Sequence, residues 1–226
     1  KRVYQPAFVQ QCGWVGQNPS PELVGEVIKI LQSYAPLIHI NASILLASGQ
    51  MRVNQVLRTD HSKDYLGGYS KSLRKNIAKY QPRLSVETNA SIDEVIALYR
   101  AAYGNLNPHL GDVHYAQLKK LVSTHPEHFS RYSVMHNGSI VAGVLLAHTH
   151  NRFHYILGAP SKEGRGYNAI SVVIDHILAE ISKDQGVFDF EGSSIPNVHA
   201  FYKSFGANDE FFYENRIHAK WMSAAL

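Results

Sequence analysis

Two carboxylates and a phenol lie close together late in the sequence, and their chemistry suits proton transfer. Asp189 and Glu191 come at the end of a short apolar segment that predicts a strand, and Tyr202 lies on the helix predicted next, before Gly206. A carboxylate can accept a proton from an amine, and a phenol can return one to a leaving group. Because side chains alternate along a strand, we expect both carboxylates on one face. Structural roles are the alternative, with the carboxylates capping the helix and the tyrosine packing between layers.

A glycine-rich segment precedes a long predicted helix and has the composition of an anion-binding turn. The predicted strand ends near Gly158, a loop follows as far as Gly166, and the helix begins near Asn168. Gly164 and Gly166 free the backbone to approach a ligand, Arg165 adds positive charge, and the start of the helix offers backbone N–H groups. A purely structural turn is an equally good interpretation, because glycine-rich turns between strands and helices are common.

Positive charge is concentrated on one predicted helix. The chain carries 22 Lys and Arg against 18 Asp and Glu, a net charge of +4 with neutral histidines. On the helix predicted at residues 70–80, Lys71, Lys75 and Lys79 recur every four residues and therefore line one face. Phosphates of a nucleotide, a coenzyme or an RNA backbone would suit this face. A solvated helix surface is the alternative, since charge runs usually face water.

The histidines are weaker candidates for chemistry. His148, His150 and His154 surround a predicted turn and could meet across adjacent strands as metal ligands. No carboxylate or cysteine completes the ligand set at close spacing, so we expect no metal.

The composition is that of a globular protein and excludes several other classes. Of the 226 residues, 45% are hydrophobic and 18% are charged, which excludes disorder, collagen and coiled coil. The longest apolar stretch, residues 140–147, is far shorter than the roughly 20 residues that span a bilayer, and no secretory signal is present. A single cysteine forms no internal disulfide, so we expect a cytoplasmic protein. The chain starts at Lys1 rather than Met, so we expect it to be part of something longer.

Hydrophobic periodicity and turn residues predict the elements that would hold these side chains. Residues 1–83 show the order β-α-β-β-α, and residues 84–226 show β-α-α-β-β-β-α-β-α-β. The clearest hairpin has its turn at Asn137 and Gly138. Residues 4–40 and 154–190 share the order strand, loop, long helix, strand at similar spacing, which predicts a weak internal repeat.

Several motifs resemble the GNAT acyltransferase superfamily and, within it, the FemAB/FemX-like branch. The element order of residues 84–226 resembles the GNAT pattern, as does a helix ending in Tyr-x-x-x-Gly, here Tyr202 to Gly206. The branch-specific motifs are Arg74-Lys75-Asn76-Ile77 on a basic linking helix, Asp189-Phe190-Glu191-Gly192 at a strand end, and Phe201-Tyr202-Lys203-Ser204-Phe205-Gly206. The resemblance implies an α/β fold of the α+β type with a mixed sheet. A complete GNAT domain would occupy residues 84–226, after a partial GNAT-like half at residues 1–83 that includes the basic helix.

The resemblance also implies an activity and its residues. The protein would be an N-acyltransferase that moves an acyl group from an activated donor, acetyl-CoA or another acyl-CoA, to a small-molecule or nucleotide-linked amine. Tyr202 would be the acid, and Asp189 or Glu191 the base or the group that orients the amine. The donor-binding residues would be Tyr155, Leu157, Gly158, Gly164, Arg165, Gly166, Asn168 and Asn197, with a backbone N–H of residues 155–158 polarising the carbonyl. The residues that would hold phosphates are Arg74, Lys75 and Lys79.

Two departures from the family pattern leave alternative functions open. FemX-like enzymes carry a lysine, implicated in aminoacyl transfer from tRNA, where this chain has Tyr202, the residue of acyl-CoA-using GNAT enzymes. Tyrosine therefore favours acyl-CoA over a FemX-like activity that uses aminoacyl-tRNA and a cell-wall precursor. The GNAT coenzyme turn, typically Arg/Gln-x-x-Gly-x-Gly/Ala, matches residues 164–169 incompletely because Tyr167 is bulky. A non-catalytic GNAT-fold binding module is the second alternative.

Overall fold

Helices and strands alternate along the chain in nearly the predicted order. The computed structural model describes residues 1–12, 14, 17–59 and 64–218. Its helices are α1 (Pro21–Tyr34), α2 (Lys71–Tyr80), α3 (Ile92–Tyr103), α4 (Asp112–Thr124), α5 (Lys162–Gly166), α6 (Ala169–Ile181) and α7 (Pro196–Lys203). Its strands are β1 (Arg2–Tyr4), β2 (Leu37–Ala42), β3 (Gly49–Arg58), β4 (Ser85–Thr88), β5 (Phe129–His136), β6 (Ser139–Thr149), β7 (Arg152–Pro160), β8 (Val187–Asp189) and β9 (Asn208–His218). Among the described residues, no helix combines the length and apolar character needed to cross a membrane.

One predicted loop is wrong. Residues 158–166 contain the end of β7 and the short helix α5 instead of a loop. The Ser161 hydroxyl caps α5 by accepting a hydrogen bond from the backbone N–H of Gly164 at 3.0 Å. The two glycines suggested irregular backbone because glycine disfavours helices, but the serine cap and the packing of Gly164 against β6 outweigh that preference.

The chain folds as two compact units. The first comprises residues 1–54 and 209–226, and the second comprises residues 55–208. The two GNAT-like halves divided between residues 83 and 84 stay a prediction. So does the internal repeat, although β1 pairs in parallel with β2 across α1, just as β7 pairs in parallel with β8 across α6.

The first unit packs one helix on a short sheet. Strand β2 pairs in parallel with β1 and antiparallel with β9. Helix α1 begins where predicted, with Pro21 in its first turn and the Ser20 hydroxyl accepting from the Leu23 N–H at 3.3 Å. The core consists of Ile38, Leu46 and Ile217, against which α1 packs Val24, Val27, Ile28 and Leu31.

Glu214 on β9 binds three basic side chains of the first unit. Its carboxylate accepts hydrogen bonds from Arg52 (Nε, 2.8 Å), from the Arg216 guanidinium and from His39 (Nε2, 3.0 Å). Burial raises the pKa of Glu214, but these hydrogen bonds outweigh burial and lower the pKa from 4.5 to about 2. A depressed folded-state pKa stabilises the fold above the unfolded pKa, and this stabilisation is lost as the pH falls from about 4.5 toward about 2.

Replacing Glu214 by Gln is therefore expected to flatten the acid dependence of stability. The free energy of unfolding, measured by urea denaturation between pH 5 and pH 2 (roughly the window set by the two pKa values), should fall less steeply in the variant than in the wild type. Glu26→Gln is the matched control, because Glu26 is an exposed carboxylate of the same unit. An identical slope for Glu214→Gln and the wild type would contradict the assignment.

The second unit is built on a mixed sheet, which confirms the predicted fold class. Its strands follow the order β3-β8-β7-β6-β5-β4, with β7 and β8 parallel and the other neighbouring pairs antiparallel. The β5–β6 hairpin turns at Asn137 and Gly138, which both have positive φ (49° and 77°). Asparagine and glycine tolerate this backbone best, so the sequence predicted the turn correctly.

Helix α6 carries the core of the second unit. It is the most apolar helix described, and Val173, Ile174, Ile177 and Leu178 are fully buried on it. Leu73 and Ile77 of α2 belong to the same cluster, as do Phe188, Phe190 and Phe205, and the basic side chains of α2 are exposed. The predicted apolar stripe of α6 is confirmed, and burial on this scale stabilises the unit by roughly 2 kcal/mol per large side chain.

Gly206 follows α7 at a position that only glycine fits. Its φ is +84°, and a Cβ there would lie 2.7 Å from the Cα of Gly68. We expect Gly206→Ala to lower the free energy of unfolding by about 2 kcal/mol or more, through a left-handed backbone and a clash with backbone atoms. The matched control is Gly166→Ala, because nothing lies within 4 Å of a Cβ at Gly166. Equal urea midpoints for the two variants would contradict this account.

Candidate active site

A pocket in the second unit opens where two parallel strands stop pairing. Strands β7 and β8 pair as far as His154 and Asp189, where β8 ends, whereas β7 continues to Pro160. A β-bulge at Ile156 shifts the register between β6 and β7 at the same place. The unpaired stretch of β7 borders a pocket of about 750 Å³, and α3, α5, α6, α7 and the segment after β8 complete the walls.

The predicted site residues divide into those that line the pocket and those that do not. The lining residues are Tyr155, Gly158, Gly164, Arg165, Asn168, Glu191, Asn197 and Tyr202. Leu157, Gly166 and Asp189 lie outside the lining, and so do Arg74, Lys75 and Lys79, which are exposed on α2. The structure therefore brings the proposed acid, one of the two carboxylates and most of the donor-binding residues together.

The start of a helix and an arginine form one end of the pocket. Asn168, with a left-handed φ of 49°, immediately precedes α6, and the first-turn residues Ala169, Ile170 and Ser171 line the pocket with it. The positive end of the helix dipole and its N–H groups favour anions there. Arg165, three residues earlier, lies over the ring of Tyr103, with its Cζ 5.5 Å from the ring centroid. A phosphate is the group that this combination suits.

The glycines of the pocket serve packing as well as access. A Cβ at Gly164 would lie 2.0 Å from the carbonyl oxygen of Val141, so this glycine lets α5 approach β6 closely. A Cβ at Gly158 would lie 1.6 Å from the hydroxyl of Tyr155, so Gly158 makes room for that side chain. Both positions therefore require glycine for contacts within the protein.

Tyr202 is a partly buried phenol at the pocket wall. Its ring packs on that of Phe190, with a centroid distance of 4.6 Å. Burial raises the pKa of Tyr202 well above its usual value, and the nearby Tyr103, Tyr99 and Glu191 raise it further because each would repel a phenolate. Tyr202 is therefore a neutral hydroxyl at physiological pH, in the protonation state of a proton donor.

The two carboxylates have different surroundings. Asp189 is 1% exposed and accepts hydrogen bonds on Oδ2 from Arg152 Nε (2.9 Å) and Nη2 (2.6 Å). Glu191 lines the pocket, and its Oε1 lies 2.6 Å from the Nδ1 of His154. The prediction that both lie on one face of a strand is wrong, because β8 ends at Asp189 and Glu191 adopts a left-handed φ of 51°. Asp189 Oδ1 accepts from the Glu191 N–H at 2.9 Å and so supports that conformation.

The histidines proposed as possible metal ligands have other neighbours. His148 packs on Phe153, with ring centroids 5.4 Å apart, and His150 is a turn residue with a φ of 52°. Ligand atoms of His154, Asp189 and Glu191 lie within 4.8 Å of one another, but the guanidinium of Arg152 already occupies Asp189. A cation is therefore present beside these carboxylates in the form of an arginine.

Sequence reasoning missed several pocket residues. Tyr99 and Tyr103, four residues apart on α3, contact each other and line the pocket, as do Leu106 and Ile195, which are 76% and 62% exposed at its edge. The signal for Tyr99 and Tyr103 was their helical spacing, which places them on one face of α3. Nothing local connected that face with Tyr202, about a hundred residues later, because the two meet only through the tertiary fold.

Comparison with solved structures finds this fold in several proteins. FemX shares 12% sequence identity, with 91% of this chain and 78% of FemX covered at a TM-score of 0.63. The C-terminal domain of an Agrobacterium fabrum protein assigned as a lysylphosphatidylglycerol synthetase shares 14%, with 91% and 75% covered and a TM-score of 0.59. L-PGS from Bacillus licheniformis shares 9%, with 91% and 76% covered and a TM-score of 0.55. At these identities the likeness shows a common fold.

Sequence comparison gives the family. No curated protein matches the chain significantly. The family described as "Acetyltransferase (GNAT) domain" matches residues 67–204. This range includes helices α2 to α7 and all residues that line the pocket. The match covers more than half of the chain and confirms the resemblance that the sequence motifs indicated. The chain therefore belongs to the GNAT acetyltransferase domain family and is a transferase.

Proposed function

We propose that the protein transfers an acyl group from acyl-CoA to a primary amine in the pocket of the second unit. The observation that carries this proposal is the presence, in one pocket, of a carboxylate and a neutral phenol, Glu191 and Tyr202. Acyl transfer from a thioester to an amine needs both groups: a base for the proton of the amine and an acid for the departing thiolate. Family membership supports the same reaction class.

The chemical roles follow from the position of each group. Glu191 accepts a proton from the amine, whose nitrogen then attacks the carbonyl carbon of the thioester. The C–S bond breaks as the C–N bond forms, and Tyr202 donates its phenolic proton to the departing sulfur. Backbone N–H groups of residues 155–158, beyond the last β7–β8 pair, are our candidates for polarising the carbonyl oxygen.

The donor would enter with its phosphates at the start of α6. Arg165 and the first turn of α6 supply positive potential to that end of the pocket, which fits the charge of the coenzyme. Asn168 and Asn197 offer side-chain amides on the lining, and Gly158 belongs to the β7 stretch that the acyl-bearing arm would follow. The remaining wall is largely aromatic and aliphatic, which suits the apolar part of the donor.

Calorimetry with acetyl-CoA tests donor binding directly. We expect acetyl-CoA to bind the wild type, and Arg165→Ala to weaken binding about tenfold, because one charge-assisted phosphate contact contributes about 1.5 kcal/mol. Lys162→Ala is the matched control, since Lys162 is an exposed cation on the same helix outside the lining. Absence of heat with acetyl-CoA, propionyl-CoA and CoA would contradict the proposal, and together with an absence of tRNA binding it would favour a non-catalytic binding module.

A second candidate is transfer from aminoacyl-tRNA, and the charge of α2 favours it. Arg74 and Lys75 are exposed and form no ion pair with any part of the chain that the structure describes. Lys79 is also exposed and donates a hydrogen bond to the hydroxyl of its neighbour Tyr80 at 3.0 Å. FemX is among the structural neighbours. The resemblance of the sequence motifs to the FemX-like branch is what suggested aminoacyl-tRNA as a donor. Filter binding of tRNA over a salt series separates this candidate from the first, because binding through several phosphates weakens steeply with salt.

Charge reversal on α2 sharpens that experiment. If tRNA is bound, Lys75→Glu with Lys79→Glu should weaken binding more than tenfold and reduce the salt dependence, since two phosphate contacts are removed. Lys120→Glu, at an exposed position of α4, is the control. Equal affinity in all three proteins would exclude α2 as the tRNA contact.

A further inference from the structure

His154 is joined to the proposed catalytic carboxylate by a short hydrogen bond. Its Nδ1 lies 2.6 Å from Oε1 of Glu191 and 3.5 Å from Oδ2 of Asp189. An ionised carboxylate only accepts hydrogen bonds, so the nitrogen that faces both carboxylates must carry the hydrogen. The imidazole therefore points its Nδ1–H toward Glu191. This hydrogen bond to a carboxylate determines which ring nitrogen carries the proton.

The backbone of Glu191 needs this kind of support. A left-handed φ of 51° is unfavourable for glutamate, because its Cβ comes close to the following carbonyl oxygen, and conformations of this kind cost about 1 kcal/mol or more. Asp189 Oδ1 accepts a hydrogen bond from the Glu191 N–H, and His154 binds the side chain. The carboxylate that reaches the pocket is therefore fixed at both its backbone and its side chain.

The charged groups around His154 form one continuous network. Asp189, paired with His154 in the β7–β8 register, is itself bound by the Arg152 guanidinium, two residues before His154 on β7. On the β6 side the register neighbour of His154 is Ala147, which carries no charge. Beyond Glu191 lies Tyr202, the proposed acid. The order Arg152, Asp189, His154, Glu191 thus runs from the strands into the pocket.

We propose that His154 is a positioning residue for acyl transfer, which holds the Glu191 carboxylate in place to receive the proton of the amine. The inference rests on the proposed function and adds to it a residue that does not line the pocket. Asp189 and Arg152 act one step further away, by fixing the imidazole and the Glu191 backbone. Misplacement of a reacting group by a fraction of an ångström is costly, so loss of this hydrogen bond should affect the rate more than the affinity for the donor.

Two substitutions at His154 separate positioning from general damage. In His154→Asn the side-chain amide can donate from near the former Nδ1 position, whereas His154→Ala has no donor. For acetyl transfer to a panel of primary amines, followed by release of the CoA thiol, we expect His154→Ala to lower kcat about tenfold or more and His154→Asn to recover most of that loss. Acetyl-CoA affinity by calorimetry should change less than about twofold in both. Equal kcat in His154→Ala and the wild type, or equal losses in both variants, would overturn the proposal.

A spectroscopic readout makes the inference independent of activity. In protein labelled with ¹⁵N-histidine, the His154 resonance, identified by its loss in His154→Asn, should show the Nδ1–H tautomer and an exchange-protected Nδ1 proton. Glu191→Ala should abolish that protection. An Nε2–H tautomer, or a proton unaffected by Glu191→Ala, would overturn the proposal. If the wild type transfers no acetyl group, the proposed function fails, and this signal still decides whether His154 holds Glu191.

Discussion

Tyr202→Phe is expected to lower kcat for acyl transfer about 100-fold or more, because the departing thiolate loses its proton donor. The phenol is partly buried and its ring packs on Phe190, and partial burial and the neighbouring tyrosines raise its pKa, so the hydroxyl keeps its proton until the thiolate departs. Phenylalanine keeps the ring packing and removes only the hydroxyl. Acetyl-CoA affinity and the urea midpoint should therefore stay close to the wild-type values.

Tyr132→Phe is the matched control for this prediction. The Tyr132 hydroxyl donates to Glu180 at 2.9 Å, and Tyr132 lies outside the pocket lining. Its removal costs a hydrogen bond, about 1 kcal/mol of stability, without touching the proposed chemistry. Wild-type kcat in Tyr202→Phe would exclude the tyrosine as the acid, and a similar drop in Tyr132→Phe would show that lost stability, not lost chemistry, lowers the rate.

Glu191→Gln is expected to reduce acyl transfer by about 100-fold, because an amide accepts no proton from the amine. Glutamine has the size of glutamate and can still accept a hydrogen bond from His154, so the pocket should keep its shape. The loss should appear in kcat while acetyl-CoA binding, measured by calorimetry, is retained. The rate should be measured at several pH values, since a more basic medium supplies more of the acceptor as free amine and should partly restore transfer.

Glu163→Gln provides a closely matched control. Glu163 Oε1 lies 2.7 Å from the Nδ1 of His136, which is the same type of contact as that between Glu191 and His154. Glu163 is half exposed and lies outside the pocket lining. Its replacement should leave kcat unchanged. Full activity of Glu191→Gln at all pH values would mean that another group, or solvent, takes the proton from the amine.

The local sequence predicted where Asp189 and Glu191 lie but not which role each one has. The sequence placed Asp189 and Glu191 at a strand end next to a helix with Tyr202, and the structure confirms that neighbourhood. The sequence alone could not assign different roles to the two carboxylates. Their surroundings differ because Arg152, a residue of another strand, binds Asp189. We therefore propose Glu191 as the base and Asp189 as its support.

Local signals accounted for most of the fold. Asn137 and Gly138 predicted their hairpin because few other residues tolerate positive φ, and the apolar spacing of α6 predicted a buried helix because side chains three and four apart share a face. The basic face of α2 was predicted in the same way. The exception was α5, where two glycines concealed a helix that begins at a serine cap.

Family and element order thus follow from properties that short stretches of sequence carry: turn chemistry, periodicity and motif spacing. The composition of the pocket does not, because Tyr99 and Tyr103 reach it from α3, about a hundred residues before Tyr202. The contact of His154 on β7 with Glu191 likewise joins residues from different parts of the chain. Such contacts are decided by strand register, by the point at which β7 and β8 stop pairing, and by burial, and these exist only once distant segments have packed together. The physics of local backbone preference selects the elements, and long-range packing selects the residues that meet at the pocket.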